Sequence, residues 1–191
     1  MKKIASRTAA AAVVATLGFT GLGASAQAAE APTTGLDLAP YVTVSSAKAP
    51  GFAGAVAIRV KNVGSERYYG EFPAVTFRVD VKTEKGPKGV DRLMTPGWYN
   101  GAYMRDLGFN ESTSTRTFEI TLSNPVPVGK DQLVATLNFG DGLTREGRLT
   151  NSITVTQTGR LAGDTSTGND QNISSLTSAK DDFGRPIAGL F

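Results

Sequence analysis

"AVTFRVDVK", residues 74–82, alternates apolar and polar side chains without interruption. The apolar members are Val75, Phe77, Val79 and Val81, and the polar members are Thr76, Arg78, Asp80 and Lys82. A period of two residues is that of a β-strand with one buried and one solvated face. The stretch therefore predicts a strand at the border of an apolar core.

The same period recurs along the chain between residues 42 and 155. It places apolar residues at Val42 and Val44; Val56, Ile58 and Val60; Phe118, Ile120 and Leu122; Leu133, Ala135, Leu137 and Phe139; and Ile153 and Val155. Turn-forming clusters such as "NVGSE" at 62–66 and "KGPKG" at 85–89 separate these runs. Six or seven short strands, each with one wet face, need two packed sheets or a closed barrel, and we predict the two-sheet sandwich.

Three stretches resemble bacterial immunoglobulin-like surface modules. "VAIRVKNVGSE" at 56–66 looks like their second strand, in which an alternating run ends in an Asn-x-Gly turn. "DLGFNESTSTRTFEITL" at 106–122 is similar to a downstream strand, and "LVATLNFGDG" with "NSITVT" is similar to the closing hairpin. The resemblance, to cell-adhesion-related and conserved surface-repeat domains, implies an all-β immunoglobulin-like antiparallel sandwich of about seven strands. It also implies a binding or spacer role without catalysis, and it transfers no functional residue.

The sequence divides into four segments. Residues 1–28 have the basic start, apolar middle and Ala-Gln-Ala end of a secretory signal peptide. Residues 29–37 form a linker, 38–158 the sandwich, and 159–191 a flexible C-terminal tail poor in large apolar residues. We therefore expect a protein that is secreted and is either released or held non-covalently at the cell envelope.

Composition excludes several classes of site. The sequence has no His and no Cys, which rules out Ser-His-Asp and Cys-His catalysis and His- or Cys-bearing zinc sites. Three of the 20 Lys and Arg residues lie in the signal peptide, which leaves 17 of each sign in the mature chain. This balance argues against a nucleic-acid partner, and the apolar runs are too short for an integral membrane span. No cofactor is predicted, and the oligomeric state stays open.

The stretch "TPGWYNGAYM", residues 95–104, holds the only Trp of the chain. Trp98, Tyr99 and Tyr103 could form a stacking surface for sugar rings, and Tyr68 and Tyr69 could join it. The other interpretation, which we favour from the sequence alone, is that Trp98 fills the gap between two sheets. On the first interpretation the partner is a cell-wall polysaccharide or another surface protein.

Two further kinds of site are open from the residue types. Loop oxygens at Asp141, Asp164, Asn169, Asp170 and Asn172 could bind calcium, although they lack the EF-hand order, and solvated loops explain them as well. A carboxylate-dependent hydrolase would have to use residues such as Glu119 or Asp141. A small outer-membrane or pore-forming β-barrel is the remaining alternative, but "SAKDDFGRP" near the end of the sequence is not a ten-residue alternating strand, and aromatic residues are sparse for two interfacial girdles. We expect no enzyme and no metal.

Overall fold

The computed structural model describes residues 34–44, 54–187 and 189–191. The predicted signal peptide, residues 1–28, lies outside the described residues, as does most of the predicted linker. Within the described part the chain forms ten strands and one helical turn. They are β1 Leu38–Val44, β2 Gly54–Asn62, β3 Val75–Lys85, β4 Met94–Trp98, β5 Ala102–Asn110, β6 Thr115–Leu122, β7 Asp131–Phe139, β8 Thr150–Gly159, β9 Ile173–Ser174, α1 Ser175–Ser178 and β10 Ala179–Asp181.

The strands form two five-stranded sheets. The first has the order β10-β1-β2-β7-β4, and the second has the order β5-β6-β3-β8-β9. All neighbours are antiparallel except β1 and β10, which run parallel. Each sheet buries one face against the other, so the predicted all-β, immunoglobulin-like sandwich is confirmed.

The stretch that predicted the fold lies at the centre of the second sheet. In β3, Val79 pairs with Phe118 of β6 on one side and with Val155 of β8 on the other. All three side chains are fully buried. Cross-strand partners point to the same face, so the alternation in one strand extends into both neighbours and produces a continuous apolar layer.

The sequence did not predict β4 and β5, and the count of about seven strands was too low. Pro96 and Gly97 interrupt the alternation in β4. In β5, Ala102 and Met104 are buried, but the residues from Arg105 to Gly108 are exposed whichever way they point. Both strands lie at the outermost positions of their sheets, where fewer neighbours impose the two-residue period.

The segment after Gly159 is part of the packed structure, in contrast to the flexible tail that its composition predicts. β9 adds to the second sheet and β10 adds to the first. The Phe191 side chain is 1% exposed, and its ring centroid lies 5.8 Å from that of Phe139. Polar residues dominate this segment, but many of them bond to one another and to the sandwich.

The described part of the chain has no helix of the length and apolar character that a membrane crossing requires.

Candidate functional site

A tight turn joins the two sheets at one side of the sandwich. It runs from Tyr99 to Ala102, whose backbone N–H donates to the Tyr99 carbonyl at 2.9 Å. Its two central residues, Asn100 and Gly101, both have positive φ, of 52° and 74°. Asn and Gly adopt such angles at the lowest cost, which explains this dipeptide between two aromatic residues. The turn holds β4 and β5 side by side as the outermost strands of opposite sheets.

Trp98 is the last residue of β4 and lies on the inward-facing side of its sheet. It pairs with Ala135 of β7, which is fully buried and therefore sets the direction of the side chain. Because none of the described strands lies beyond β4, the indole remains 47% exposed. The expectation that Trp98 fills the core is wrong.

Tyr99 lies on the outer side of the same sheet, beside Gly97 and Thr136. A Cβ at Gly97 would come within 3.6 Å of the Tyr99 ring and 2.8 Å of the Thr136 hydroxyl. The Tyr99 hydroxyl is 3.5 Å from that of Thr136. A side chain at position 97 would therefore collide with the Thr136 hydroxyl and only touch the Tyr99 ring, which is 45% exposed.

Tyr103 in β5 completes a surface that we call the aromatic edge, formed by Trp98, Tyr99 and Tyr103. The Trp98 and Tyr103 ring centroids are 5.6 Å apart and the ring planes meet at 67°. Such an edge-to-face pair holds both rings in place while leaving much of their surface uncovered. Tyr103 is 55% exposed. All three sequence-predicted site residues therefore lie at the β4–β5 edge, where Trp98 and Tyr103 contact each other and Tyr99 lies on the opposite face of β4.

An open polar depression of about 520 Å³ begins one residue beyond Tyr99. Its lining is Arg59, Asn100, Asn124, Pro125, Asp131, Gln132 and Leu133. Within the described residues, Asn100 uses its Nδ2 to donate to the Leu133 carbonyl, and Gln132 uses its Nε2 to donate to the Asn100 carbonyl. These bonds leave the side-chain oxygens of both amides as acceptors for an incoming ligand.

The charges in the depression cancel. The Arg59 guanidinium lies 2.7 Å from the Asp131 carboxylate. Burial and the Asp131 charge raise the pKa of Tyr41, while Arg59 lowers it, so the neighbouring phenol stays protonated at neutral pH. A neutral surface with amide acceptors and exposed rings suits an uncharged, hydroxyl-rich ligand better than an ionic one.

Sequence reasoning missed the lining of this depression. Its amides and its ion pair come from four separate parts of the chain, and none of them forms a motif. The Asn100-Gly101 turn was the one local signal available, because it joins the aromatic residues to Gln132. The rest depends on strand order.

Comparisons with known proteins give a likeness of fold alone. No family model and no curated protein matches the chain. An uncharacterized protein from Nocardia farcinica, described as having an immunoglobulin-like fold, is 18% identical with a TM-score of 0.29, covering 69% of this chain and 95% of that chain. AvmM, described as catalysing macrocyclization in alchivemycin A biosynthesis, is 13% identical with a TM-score of 0.31, covering 73% and 82%. Neither likeness carries an argument about activity.

The other sequence-predicted residues lie elsewhere. Tyr68 is 1% exposed and belongs to the core, whereas Tyr69 is 56% exposed and lies against Arg67. Glu119 lies in β6 and pairs with Arg105 at 3.0 Å. Asp141 lies in the loop after β7, 3.8 Å from Arg148.

The loop oxygens considered for calcium are only partly brought together. Asp164 and Asp170 both lie beside Arg160, and Asn169 is next to Asp170. Asn172 instead contacts the Thr156 hydroxyl at the surface. Among the described residues, no three His, Cys, Asp or Glu side chains are placed to hold one metal ion.

Proposed function

We propose that the protein is an exported, non-catalytic binding module that holds an uncharged polysaccharide, of the kind found in cell walls, against the aromatic edge. The observation that carries the proposal is the exposure of Trp98, Tyr99 and Tyr103 on one edge. Clusters of exposed aromatic side chains often mark binding surfaces, because burying their apolar area against a ligand is favourable in free energy. Export and secretion follow from the signal-peptide interpretation of residues 1–28 and are part of the same proposal.

The depression supports the same ligand class. Sugar hydroxyls could donate to the side-chain oxygens of Asn100 and Gln132 while the sugar faces contact the rings. The internal pairing of Arg59 with Asp131 leaves no net charge to attract an ionic ligand. Amide groups beside the aromatic edge can orient a bound ligand by hydrogen bonds, and no charge has to be buried on binding.

Fluorescence of the single Trp tests the proposal directly, because Trp98 is itself in the surface. We expect red-shifted emission that an external quencher reaches, and protection with a blue shift when purified cell-wall polysaccharide is added. Tyr103→Ala should weaken binding by about tenfold, which corresponds to the roughly 1.4 kcal/mol of a lost aromatic contact.

Phe183→Ala is the matched control. Phe183 is 76% exposed and follows β10, at the opposite end of the first sheet from β4. Its loss should leave polysaccharide binding unchanged. Polysaccharide binding that is equally strong in wild type and Tyr103→Ala, or emission that no polysaccharide shifts, would contradict the proposal.

A second candidate is association with another surface protein through the free side of β5. The Ser123 N–H bonds to the Gly101 carbonyl, and the Ala102 N–H turns back to Tyr99. In an antiparallel ladder the bonded positions alternate, so the backbone groups of Met104 and Asp106 point away from β6. They could pair with an added strand. A protein that stays monomeric and cross-links to nothing on intact cells would count against this candidate.

A further inference from the structure

Three side-chain amides line the depression beside the aromatic edge, those of Asn100, Asn124 and Gln132. Asn100 lies in the turn between β4 and β5, Asn124 lies in the loop after β6, and Gln132 lies in β7. A side-chain amide carries donors and an acceptor next to each other. Three of them around one depression can therefore recognise a ligand group that is itself both a donor and an acceptor.

Hydrogen bonds hold two of these amides in place and leave their oxygen atoms unused. Asn100 Nδ2 donates to the Leu133 carbonyl at 2.9 Å, and Gln132 Nε2 donates to the backbone carbonyl of Asn100 at 2.9 Å. The second bond ties Gln132 to the turn, so the two amides stay close together. Asn100 Oδ1 and Gln132 Oε1 are then two fixed acceptors beside each other.

The third amide, that of Asn124, is held by its contact with the turn. A Cβ on Gly101 would lie 2.3 Å from Cγ and Oδ1 of Asn124, so the glycine lets the amide lie directly against the backbone. The preceding residue, Ser123, is anchored to the same place, because its N–H and its hydroxyl both donate to the Gly101 carbonyl, at 3.3 and 2.8 Å. Within the described residues the Asn124 amide has no hydrogen-bond partner, so its N–H groups are available as donors.

Two half-buried apolar side chains complete the uncharged part of the lining. They are Leu133, next to Gln132 in β7, and Pro125, next to Asn124. Each apolar side chain therefore has an amide as its neighbour in the chain. The matching ligand group has a polar part with one donor and one acceptor and a small apolar part beside it.

The only charges of the lining pair with each other. The Arg59 guanidinium lies 2.7 Å from the Asp131 carboxylate. A carboxylate or an ammonium group of a ligand would have to lose its hydration without gaining a free opposite charge. The depression therefore favours a neutral group.

We propose that the depression binds the acetamido group of an N-acetylated amino sugar, so that the polysaccharide held at the aromatic edge is a polymer of such sugars. The acetamido N–H donates to one of the two fixed oxygens, on Asn100 or Gln132, and the other oxygen accepts a sugar hydroxyl. The acetamido carbonyl accepts from Asn124 Nδ2. The methyl group contacts Leu133 and Pro125. This inference rests on the proposed function and specifies the class of sugar.

The position of the depression relative to the aromatic edge fits a chain of sugars. Tyr99 directly precedes Asn100 and is 45% exposed, so one sugar can contact the Tyr99 ring while its neighbour directs an acetamido group into the depression. The volume of about 520 Å³ lies within the range of small-molecule sites, roughly 300–1,000 Å³.

Calorimetric titration of the purified protein with two matched tetrasaccharides tests the inference. One is the tetramer of β-linked N-acetylglucosamine, and the other is the tetramer of β-linked glucose. They differ only in whether each ring carries an acetamido group or a hydroxyl at one position. We expect the N-acetylated tetramer to bind at least about tenfold more tightly, because the glucose tetramer leaves the Asn124 donors and the apolar lining without partners.

Asn124→Ala is the informative variant, because it removes the proposed donor from an exposed loop position and should leave Tm unchanged. Its preference for the N-acetylated tetramer should fall to about twofold or less, while its affinity for the glucose tetramer stays that of wild type. Asn138→Ala is the matched control. Asn138 is an exposed Asn of β7 that pairs with Thr95 and Ala55, outside the lining of the depression, and its loss should keep the full preference.

The outcomes separate this inference from the proposed function. Equal affinity for the two tetramers would overturn the acetamido site and leave polysaccharide binding intact. An undiminished preference in Asn124→Ala would overturn it as well. Binding of cell-wall polysaccharide without binding of the N-acetylated tetramer would also overturn it. If neither the polysaccharide nor either tetramer binds, the proposed function fails together with the inference.

Discussion

Replacing Phe191 by Ala tests whether the C-terminal segment is an integral part of the sandwich. The Phe191 ring is 1% exposed and packs against Phe139. The backbone N–H and carbonyl of Phe191 also exchange hydrogen bonds with Asn151 of β8, at 2.9 and 2.6 Å. The substitution keeps those backbone bonds and removes only the ring, so its effect reports the packing of the side chain.

The expected cost is large because the ring is fully enclosed. Truncating a buried Phe to Ala removes its transfer free energy and leaves a cavity, for a total of about 3–5 kcal/mol. At 2–4 °C per kcal/mol for a chain of this size, Tm should fall by roughly 6–20 °C. A loosely attached tail would instead give a change within about 0.5 kcal/mol.

Urea unfolding followed by circular dichroism measures the difference. We expect a lower midpoint with an unchanged m-value, which identifies a loss of stability without a change in the surface exposed on unfolding. Phe183→Ala is the control from the same segment, since Phe183 is 76% exposed and should cost little. Equal stability of Phe191→Ala and Phe183→Ala would refute the packing argument.

Three other predictions concern the rest of the sandwich. Burial opposes ionisation of Asp181, but hydrogen bonds from the Arg185 and Phe183 N–H groups and the Arg185 guanidinium lower its pKa overall. Its stabilising effect is therefore complete above the ordinary value of 3.8 and lost as the pH falls through the lowered value, so urea unfolding at a series of pH values should show a shallower acid loss in Asp181→Asn. Pro96→Thr should restore an outward N–H at the free side of β4 and promote self-association, measured by sedimentation velocity; a variant that stays monomeric at high concentration would show that Pro96 does not protect this edge. Tyr99→Ala removes a ring that is 45% exposed and should weaken polysaccharide binding severalfold in the fluorescence titration with little change in Tm, and unchanged binding would remove Tyr99 from the proposed surface.

The outward direction of Pro96 follows from the register of β4 with β7. The Gly140 N–H donates to the Leu93 carbonyl, and the Tyr99 N–H donates to the Val134 carbonyl. Bonded positions alternate, so positions 94, 96 and 98 direct their backbone groups away from β7. Because Pro96 has no backbone N–H, the middle position of this free edge cannot donate a hydrogen bond to another strand. This limits pairing of β4 with another chain.

Much of the fold could be predicted from the sequence, but less of the candidate site. The alternation in β3 predicts which residues are buried, and the structure confirms it at Phe77 and Val79. The three aromatic residues were identified from their types and spacing. The depression beside them was not, because Arg59 and Gln132 come from different strands.

The amino-acid sequence is enough to predict the direction of each alternating side chain and to exclude His and Cys chemistry. Both are local properties: the pleat of a strand fixes the first, and composition fixes the second. The exposure of Trp98 depends on the tertiary structure, because its neighbour Ala135 faces inward while none of the described strands lies beyond β4. In the same way Asp164, in a segment that looks solvated, is buried because Tyr68 bonds to it from 96 residues away. Whether a residue is buried depends on which residues lie opposite it. Strand order and long-range packing determine which residues those are.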